Sequence, residues 1–596
     1  MGGACSRKQD QDSEDCSQRR LSRRYFKSGS LKWSNSSFSH PSIDYHSQKG
    51  ECPSLLDLCV RKICKEIHKH RTFSSIPRDI SQQILNEMVY SQRLSSASFK
   101  AFQDCSLQDF YLGEYPGVDD SWMQIISSQG SSVLSVDLSG SDVSDYGLNY
   151  LKDCTNLLTL NLNHCDQISD HGLEYMNGLS NLTSLSFRRN NAISAQGLGS
   201  FSALVNLVKL DLERCPGIHG GLVHLQGLTK LESLNMKWCN CVTDADMKPL
   251  SETGAGREQR QFEHIDTVLD HELTNLKSLE ISCSKVTDFG VTFLKGLQKL
   301  ALLNLEGCLV TAACLDSLAE IPALSNLNLN RCNLSDDGCE KFSRLQNLKV
   351  LNLGFNEITD ACLAYLKGLT KLESLNLDSC RIGDEGLINL AGLQRLKCLE
   401  LSDTEVGSSG LHHISVLSRL EKINLSFTMI SDGGLRKLSG LSSLKSLNLD
   451  ARQITDSGLA ALTSLTGLTD LDLFCARITD SGTNYLKNFK NLRSLEICGG
   501  GLTDDGVKNI KELSSLMCLN LSQNCSLTDK SLQLISGLSK LISLNVSNSS
   551  VTSAGLQHLK TLKNLRSLTL ESCKVTANDI RKLKADLPNL VNFRPE

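Results

Sequence analysis

The sequence repeats one unit of strand-like and helix-like leucines along most of its length. In residues 344–380 three leucines fit the inward positions of a short strand: Leu348, Leu351 and Leu353. Three more recur at a three-residue step, which places them on one face of a helix: Leu363, Leu366 and Leu369. A unit this short cannot bury its own apolar face, so neighbouring units must stack. The pattern therefore predicts one elongated α/β solenoid.

We call the last apolar residue of each predicted strand its ruler residue. The ruler residues are Leu138, Leu162, Phe187, Leu212, Met236, Ile281, Leu305, Leu329, Leu353, Leu377, Leu401, Leu425, Leu449, Leu473, Ile497, Leu521, Val546 and Leu570. They mark 18 repeats at steps of 24 or 25 residues, with one exception. This period and spacing resemble the leucine-rich repeat. The resemblance implies a curved horseshoe with parallel strands on its concave face and helices on its convex face.

The exception indicates an insertion. Met236 and Ile281 are 45 residues apart, and the extra residues lie at about 250–272, in a polar and charged segment. We expect a loop that leaves the solenoid, with the residues on either side joining into an ordinary repeat. Its composition fits a binding loop and a neutral insertion equally well.

Cysteine usage predicts buried, reduced thiols. Seven of the 24 cysteines stand three residues after a ruler residue: Cys165, Cys215, Cys239, Cys308, Cys332, Cys380 and Cys573. Asparagine fills the same slot at Asn190, Asn356 and Asn524. Both residue types are small and can bond to the backbone of a turn, so we expect free thiols in a reducing compartment.

Repeat helices are predicted to begin at Ser/Thr-Asp pairs. Examples are Ser144-Asp145, Ser169-Asp170, Thr287-Asp288, Thr359-Asp360, Thr455-Asp456 and Thr479-Asp480. The hydroxyl caps free N–H groups, and the carboxylate favours the positive end of the helix. The Ser/Thr-Asp-x-Gly-Leu form and the cysteine slot resemble the cysteine-containing class of leucine-rich repeats. That class is common in F-box proteins and related intracellular receptors, although this chain lacks a full F-box.

Residues 1–50 have no apolar period and predict a tail. The opening MGGACS fits an N-myristoylation motif at Gly2, with Cys5 as a neighbouring palmitoylation candidate. Two such signals, or one with the basic run between Arg19 and Lys32, would hold the chain on a membrane surface. The expected location is the cytoplasm, at the cytoplasmic face of the plasma membrane. A solvated tail without lipid remains the alternative.

Residues 51–106 predict a small helical segment with two competing resemblances. Residues 54–63 are similar to an elongin-binding box through Leu55, Cys59 and Ile63. Residues 76–85 resemble the opening of an F-box, with matching positions at Pro77, Ile80 and Ile84. Either resemblance implies an adaptor of a cullin-based ubiquitin ligase. Plain amphipathic helices that cap the solenoid explain the same residues.

The remaining boundaries follow from the repeat. Residues 107–130 predict a degenerate repeat that caps the N-terminal end, and residues 131–586 predict the solenoid itself. Residues 587–596 predict a C-terminal cap, in which Leu587, Leu590 and Phe593 form a truncated strand.

Composition and motifs point away from catalysis. The net charge is -4, which implies no general attraction to nucleic acid. The sequence has no phosphate loop, H-E-x-x-H pattern or nucleophile elbow, and no C-x-x-C pair for zinc. It has no run of 18 apolar residues, so nothing is expected to span a membrane. We expect no enzyme activity, cofactor or metal.

The strand face is the expected binding surface. The residue before each ruler residue should point outward; ten of these are Asn and six are acidic, which favours a stabilising ladder. The next two positions vary more, and several carry side chains typical of binding hot spots. These are Arg188, Arg189, Arg214, Lys237, Trp238, Phe355, Phe427 and Phe474. They predict a protein partner on the concave face.

Two functions fit this sequence. The first, implied by resemblance, is a substrate-recognition subunit of a cullin-RING (SCF-type) ubiquitin ligase, with an adaptor at 51–106. The second is a lipid-anchored interaction scaffold in signalling with no ligase link. In both the chain is expected to be a monomer apart from its complex.

Overall fold

The computed structural model describes residues 54–250, 273–450 and 452–594. Gly2, Cys5 and the rest of the predicted tail lie outside these residues, as do residues 251–272 of the predicted insertion. The chain divides into two compact units, Met1–Ile63 and Cys64–Glu596. The described part of the first unit is the start of one helix, and the repeats belong to the second.

The second unit contains a 20-stranded parallel sheet. Its strands are β1 (Asp109–Tyr111), β2 (Ser135–Asp137), β3 (Thr159–Asn161), β4 (Ser184–Ser186), β5 (Lys209–Asp211), β6 (Ser233–Asn235), β7 (Ser278–Glu280), β8 (Leu302–Asn304), β9 (Asn326–Asn328), β10 (Val350–Asn352), β11 (Ser374–Asn376), β12 (Cys398–Glu400), β13 (Lys422–Asn424), β14 (Ser446–Asn448), β15 (Asp470–Asp472), β16 (Ser494–Glu496), β17 (Cys518–Asn520), β18 (Ser543–Asn545), β19 (Ser567–Thr569) and β20 (Asn592–Arg594). Each strand pairs in parallel with the next along the chain, as β10 does with β11. The predicted solenoid of stacked α/β repeats is confirmed.

Leucine burial explains the register of the sheet. In β10, Leu351 is opposite Leu327 on one side and Leu375 on the other, and all three are fully buried. A shift of one residue would turn every such leucine to the outer face. The ruler residue Leu353 and the helix residue Leu363 are also fully buried, as the repeat pattern predicts.

The insertion leaves the sheet uninterrupted. Strands β6 and β7 flank it and pair directly, with Ser233 opposite Ser278. Asn275 Nδ2 donates to the carbonyl of Thr229 at 2.8 Å, as Asn206 Nδ2 does to Ser180 in the uninterrupted stack. The residues on both sides therefore form an ordinary repeat.

The connections between strands are short α-helices, 3-10 helices or both. The α-helices are α1 (Leu55–Lys65), α2 (Arg78–Tyr90), α3 (Ser96–Phe99), α4 (Asp120–Ser127), α5 (Asp145–Leu148), α6 (Asp170–Glu174), α7 (Asp244–Met247), α8 (Asp288–Thr292), α9 (Cys314–Leu318), α10 (Asp360–Leu366), α11 (Leu411–Ile414), α12 (Asp432–Leu435), α13 (Asp456–Ala461), α14 (Asp504–Ile510), α15 (Asp529–Ile535) and α16 (Ala577–Asp586). The 3-10 helices are Ile67–Lys69, Lys100–Phe102, Gly130–Ser132, Asn149–Asp153, Tyr175–Gly178, Gly197–Ala203, Gly221–Leu225, Lys248–Leu250, Phe293–Gly296, Cys339–Arg344, Gly386–Leu390, Arg436–Gly440, Gly482–Asn488 and Ser553–Thr561. No helix in these parts of the chain has the length and apolar character needed to cross a bilayer.

The Ser/Thr-Asp pairs do more than cap helices. Thr455 caps α13 as predicted, by accepting from the Ser457 N–H. Its own N–H and hydroxyl donate to the two carboxylate oxygens of Asp432 in the preceding repeat, at 2.8 and 2.5 Å. The same link joins Thr479 to Asp456. The pairs therefore form a ladder of charge-assisted hydrogen bonds between repeats.

The cysteine slot forms a second link between repeats. Each slot thiol donates to the carbonyl of the preceding repeat's ruler residue, at 3.1 to 3.3 Å, from Cys165, Cys215, Cys239, Cys308, Cys332, Cys380 and Cys573. The asparagines donate to the equivalent carbonyl at 2.7 to 2.9 Å, from Asn190, Asn356 and Asn524. The equivalence of Cys and Asn is confirmed. All cysteines in the described residues are free, and burial raises the pKa of Cys215 to about 12.

Candidate binding surface

The residues that directly follow the strands form one edge of the sheet, which we call the turn edge. The second residue after each ruler residue is left-handed in every repeat that the structure describes at this position, with φ between 52° and 72°. Gly140, Gly307 and Gly499 occupy it in three repeats. Glycine suits this backbone, whereas a large L-residue pays roughly 1–2 kcal/mol.

Several repeats place large side chains at this costly position. Arg189, Arg214, Trp238, Phe355 and Phe427 have φ values between 56° and 62°. Side chains kept where glycine would be more stable are candidates for function. Sequence reasoning selected these residues by their chemistry, but it did not detect the left-handed backbone.

Repeats three to five bring together an arginine–tryptophan cluster, formed by Arg189, Arg214 and Trp238. All three are exposed, Trp238 to 49%. The Arg214 guanidinium lies over the Trp238 ring, 5.5 Å from its centroid. The Arg189 N–H donates to the Glu213 carbonyl, which fixes its backbone beside the next turn. The stack holds the Arg214 guanidinium against the indole.

Two of the predicted basic residues are neutralised within the sheet. Arg188 Nε donates to Asp211 Oδ2 at 2.7 Å, and Asp211 is almost fully buried. Lys237 pairs in the same way with the buried Glu280. Burial raises the pKa of Asp211 and Arg188 opposes that rise. Arg188 and Lys237 therefore stabilise buried acids, which largely neutralise their charge within the repeat stack.

The predicted phenylalanines lie farther along the same edge. Phe427 is 48% exposed, whereas Phe355 and Phe474 are half-buried. The Arg331 guanidinium lies over the Phe355 ring, 3.9 Å from its centroid. The structure thus places the three predicted phenylalanines on the same edge as the arginine–tryptophan cluster, several repeats away from it.

The predicted outward column before the ruler residues is not an open surface. Its members are buried or half-buried; Asn352, for example, is only 7% exposed. The Asn352 side-chain oxygen accepts from the Gly354 N–H at 3.1 Å, and that of Asn376 accepts from Asp378 at 2.8 Å. Such bonds fold the turn of the same repeat. Other members join neighbouring strands, as Asn235 Nδ2 does by donating to Asp211 Oδ1 at 3.0 Å. The column is therefore less exposed than its predicted outward direction implies, and it has the stabilising role that the sequence favours.

Helix α1 presents apolar side chains to solvent. Leu55 is 78%, Leu58 49% and Leu56 41% exposed, and Cys59 is also exposed. Of the elongin-box-like residues, only Ile63 is half-buried. The helix buries a different pair of residues, Val60 and Cys64.

The F-box-like residues mostly serve the fold of the second unit. Ile84, Leu85 and Met88 of α2 are buried, Ile80 is half-buried and Pro77 is exposed. Gln82 on the same helix covers the first edge of the sheet. Its side-chain oxygen accepts from the N–H groups of Gln108 and Asp109, and its amide nitrogen donates to the Asp109 carbonyl at 2.6 Å. Helix α2 therefore caps β1.

One side-chain cluster has the composition of a metal site. The ligand atoms of Asp336, Cys339 and Cys362 all lie within 4.8 Å of one another. Both oxygens of Asp336 already accept hydrogen bonds from Thr359, at 2.8 and 2.6 Å. The Cys339 thiol donates to the Ser335 carbonyl at 3.2 Å. These contacts explain the cluster as part of the inter-repeat ladder.

Comparisons with known proteins agree with the fold. The family model described as leucine-rich repeat region matches residues 329–594, and the one described as leucine rich repeat matches 153–176 and 227–251. No curated protein matches the sequence.

Among solved structures, the chain is similar to an internalin of Listeria monocytogenes, with 26% identity, 53% of this chain and 86% of that chain covered and a TM-score of 0.43. A leucine-rich repeat protein of Leptospira interrogans shows 20% identity, with 77% and 95% covered and a TM-score of 0.38. The ectodomain of an Arabidopsis thaliana membrane receptor kinase shows 17% identity, with 83% and 65% covered and a TM-score of 0.36. The family matches, together with the stacked repeats, make the chain a leucine-rich repeat protein over the residues matched.

Proposed function

We propose that this leucine-rich repeat protein is a substrate-recognition subunit of a cullin-RING ubiquitin ligase. In this proposal the repeats belong to the cysteine-containing class, α1 binds the ligase adaptor and the turn edge binds the target protein. The observation that carries the adaptor half is the row of exposed leucines on α1, since exposed apolar side chains that cluster on one helix mark contact sites. The protein acts by binding, without an enzymatic step of its own.

The positions of the two adaptor-like motifs favour the elongin-type interpretation over the F-box one. Leu55 and Cys59 are exposed, as contact residues must be. Ile84 is fully buried, so an adaptor could reach it only if α2 left the cap. We therefore assign adaptor contact to Leu55, Leu58 and Cys59, and treat Ile84 as a core residue.

Affinity purification of the intact chain from cells tests this proposal. Leu55→Asp and Leu58→Asp should each remove the cullin adaptor from the purified complex. Because both side chains are exposed, the variants should keep their thermal stability. Ile388→Asp is the matched control, since Ile388 is 58% exposed and far along the repeats. Adaptor recovery unaffected by Leu55→Asp and Leu58→Asp would refute the ligase assignment.

A second function, the lipid-anchored scaffold, rests on the MGGACS motif at Gly2 and Cys5. In that case the tail sets the membrane location and the repeats recruit a partner without a ligase. Gly2→Ala should move the protein from the membrane to the soluble fraction, and Cys5→Ser should weaken attachment. Fractionation that is the same for Gly2→Ala and wild type would eliminate the anchor.

A further inference from the structure

We infer that the arginine–tryptophan cluster of Arg189, Arg214 and Trp238 binds an extended acidic segment of a partner protein. The inference rests on the proposed function, because it assigns a chemistry to the target that the turn edge recognises. It commits to carboxylate side chains on a protein, and it locates the contact in repeats three to five.

Ion pairs inside the repeat stack account for Arg188 and Lys237 but not for the two arginines of the cluster. Arg188 pairs with Asp211 and with Glu213, and Lys237 pairs with Glu280. Within the described residues, Arg189 and Arg214 have no ion-pair partner, and both are exposed. Their charge is therefore available to a ligand, and a rim of two unpaired guanidinium groups attracts a negatively charged segment.

The Trp238 ring sets the orientation of the Arg214 guanidinium. Arg214 is stacked over the Trp238 ring at 5.5 Å, which leaves the edge of its guanidinium plane accessible. A guanidinium held in this way can donate two parallel hydrogen bonds to one carboxylate. The exposed indole beside it can cover the apolar part of a neighbouring side chain. A carboxylate side chain of the partner suits this pair better than a neutral side chain does, because it can accept both hydrogen bonds from the guanidinium.

The spacing of the turns along the sheet suits an extended peptide segment. Neighbouring strands are about 4.8 Å apart, so Arg189 and Arg214 start from adjacent turns at roughly that distance. In an extended segment, alternate side chains share a face at about 6.7 Å. Flexible arginine side chains can span this difference. A segment crossing the turns with acidic residues at alternate positions therefore meets both arginines.

Other turns along the edge carry carboxylates, which do not suit an acidic ligand. In later repeats the equivalent turns carry Asp378 and Asp403, and Asp403 is exposed. These carboxylates repel an acidic ligand, and Gly307 offers no side chain at all. Burial raises the pKa of Asp378, and the nearby Arg331, a further turn-edge arginine that lies over an aromatic ring, is among the groups that oppose this rise. Acidic binding is therefore confined to the cluster.

The test is a selection of random 12-residue peptides on the intact chain, followed by affinity measurement of the strongest binder. We expect the selected peptides to be acidic, with Asp or Glu at alternate positions. Arg189→Asn and Arg214→Asn should each weaken the strongest binder about tenfold, the loss typical of one charge-assisted hydrogen-bonded pair. Asn is chosen because Asn548 already occupies this turn position at φ 56°. Selected peptides that are neutral or basic would overturn the inference.

Arg331→Asn is the matched control. It removes the same charge from the same backbone position in another repeat, where φ is 55°. We expect a change below twofold. An equal loss for Arg331→Asn and Arg214→Asn would show only general attraction, and it would overturn the assigned location.

Other anions are tested in competition. Single-stranded polyuridylate and vesicles of phosphatidylserine should displace the acidic peptide poorly at 150 mM salt. Displacement by either at a lower concentration than free peptide, with the same dependence on Arg189 and Arg214, would assign the cluster to phosphate instead. The result is separable from the ligase proposal, because Leu55→Asp should leave peptide affinity unchanged and Arg214→Asn should leave adaptor recovery unchanged.

Discussion

At the scale of single residues, the turn edge carries side chains of two kinds: some stabilise the fold, and others are exposed and can contact a partner. Trp238 has a φ of 62° in a position that Gly307 fills in another repeat. Its indole packs under Arg214 and is otherwise half exposed. The fold needs a left-handed residue there but does not need an indole. This is the physical reason to assign the side chain to binding.

Replacement of Trp238 should therefore leave stability nearly unchanged. In Trp238→Asn, relief of backbone strain offsets the lost cation–π contact, and we expect the free energy of unfolding to stay within about 0.5 kcal/mol of wild type. Trp238→Val should cost about 1–2 kcal/mol, because a β-branched residue is strained at positive φ. Denaturant titration of both variants gives these values. A loss above about 2 kcal/mol for Trp238→Asn would make the indole a structural residue.

A second residue-scale prediction concerns Glu400, in the strand β12. Burial raises the pKa of Glu400 to about 7, opposed by a hydrogen bond from Asn424. A raised pKa means that the folded state binds the proton more tightly. The contribution of Glu400 to stability is therefore full below its unfolded pKa of 4.5, is lost as pH rises through about 7, and is constant above that. Glu400→Gln should remove roughly 1–3 kcal/mol of that decline between pH 5 and pH 8. Glu405→Gln, at an exposed site, should not change the pH profile.

At the scale of elements, the repeat is held by links that its sequence only partly reveals. The leucine period is enough to place strands, because it fixes which residues must be buried. The Ser/Thr-Asp pairs indicate helix starts, but the carboxylate also reaches into the next repeat, about 24 residues away. A contact at that separation becomes visible only when the repeats are stacked. The same contact between repeats explains the glycine of the Ser/Thr-Asp-x-Gly-Leu motif, because a side chain there would collide with the aspartate of the preceding repeat.

Gly482 tests this link. A Cβ atom there would lie 2.1 Å from Asp456 Oδ1, so Gly482→Ala should cost about 1–3 kcal/mol through crowding. In an Asp456→Ala background the same change should cost much less, since the crowding oxygen is gone. Gly440→Ala is the control, because nothing lies within 4 Å of its added Cβ. If the double variant lost as much unfolding free energy as the two single variants together, the contact between Gly482 and Asp456 would be contradicted.

The candidate surfaces show the limit of the sequence at this scale. Arginine, tryptophan and phenylalanine at variable positions are enough to select the turn edge. Composition cannot reveal that Arg188 and Lys237 are bound by Asp211 and Glu280, because those pairs join different repeats. It also cannot distinguish a helix face that is buried from one that is exposed. Helix α1 is the example, in which Val60 and Cys64 are buried while Leu55 is exposed.

At the scale of the whole molecule, the parallel sheet makes each repeat depend on its neighbours. Leu375 of β11 is fully buried between Leu351 and Leu399. Leu375→Ala should cost about 2–5 kcal/mol. Hydrogen exchange should rise in β10, β11 and β12 and stay unchanged in β3, since repeat stability depends on nearest neighbours. A uniform rise along the chain would instead indicate a single cooperative unit.

We propose two independent contacts on one chain, the adaptor on α1 and an acidic target on the turn edge. Quantitative affinity purification of the wild type beside Leu55→Asp and the double variant Arg189→Asn/Arg214→Asn tests both together. We expect Leu55→Asp to lose the cullin adaptor and retain the target, and the double variant to lose the target and retain the adaptor. Identical sets of co-purified proteins from all three chains would contradict both contacts.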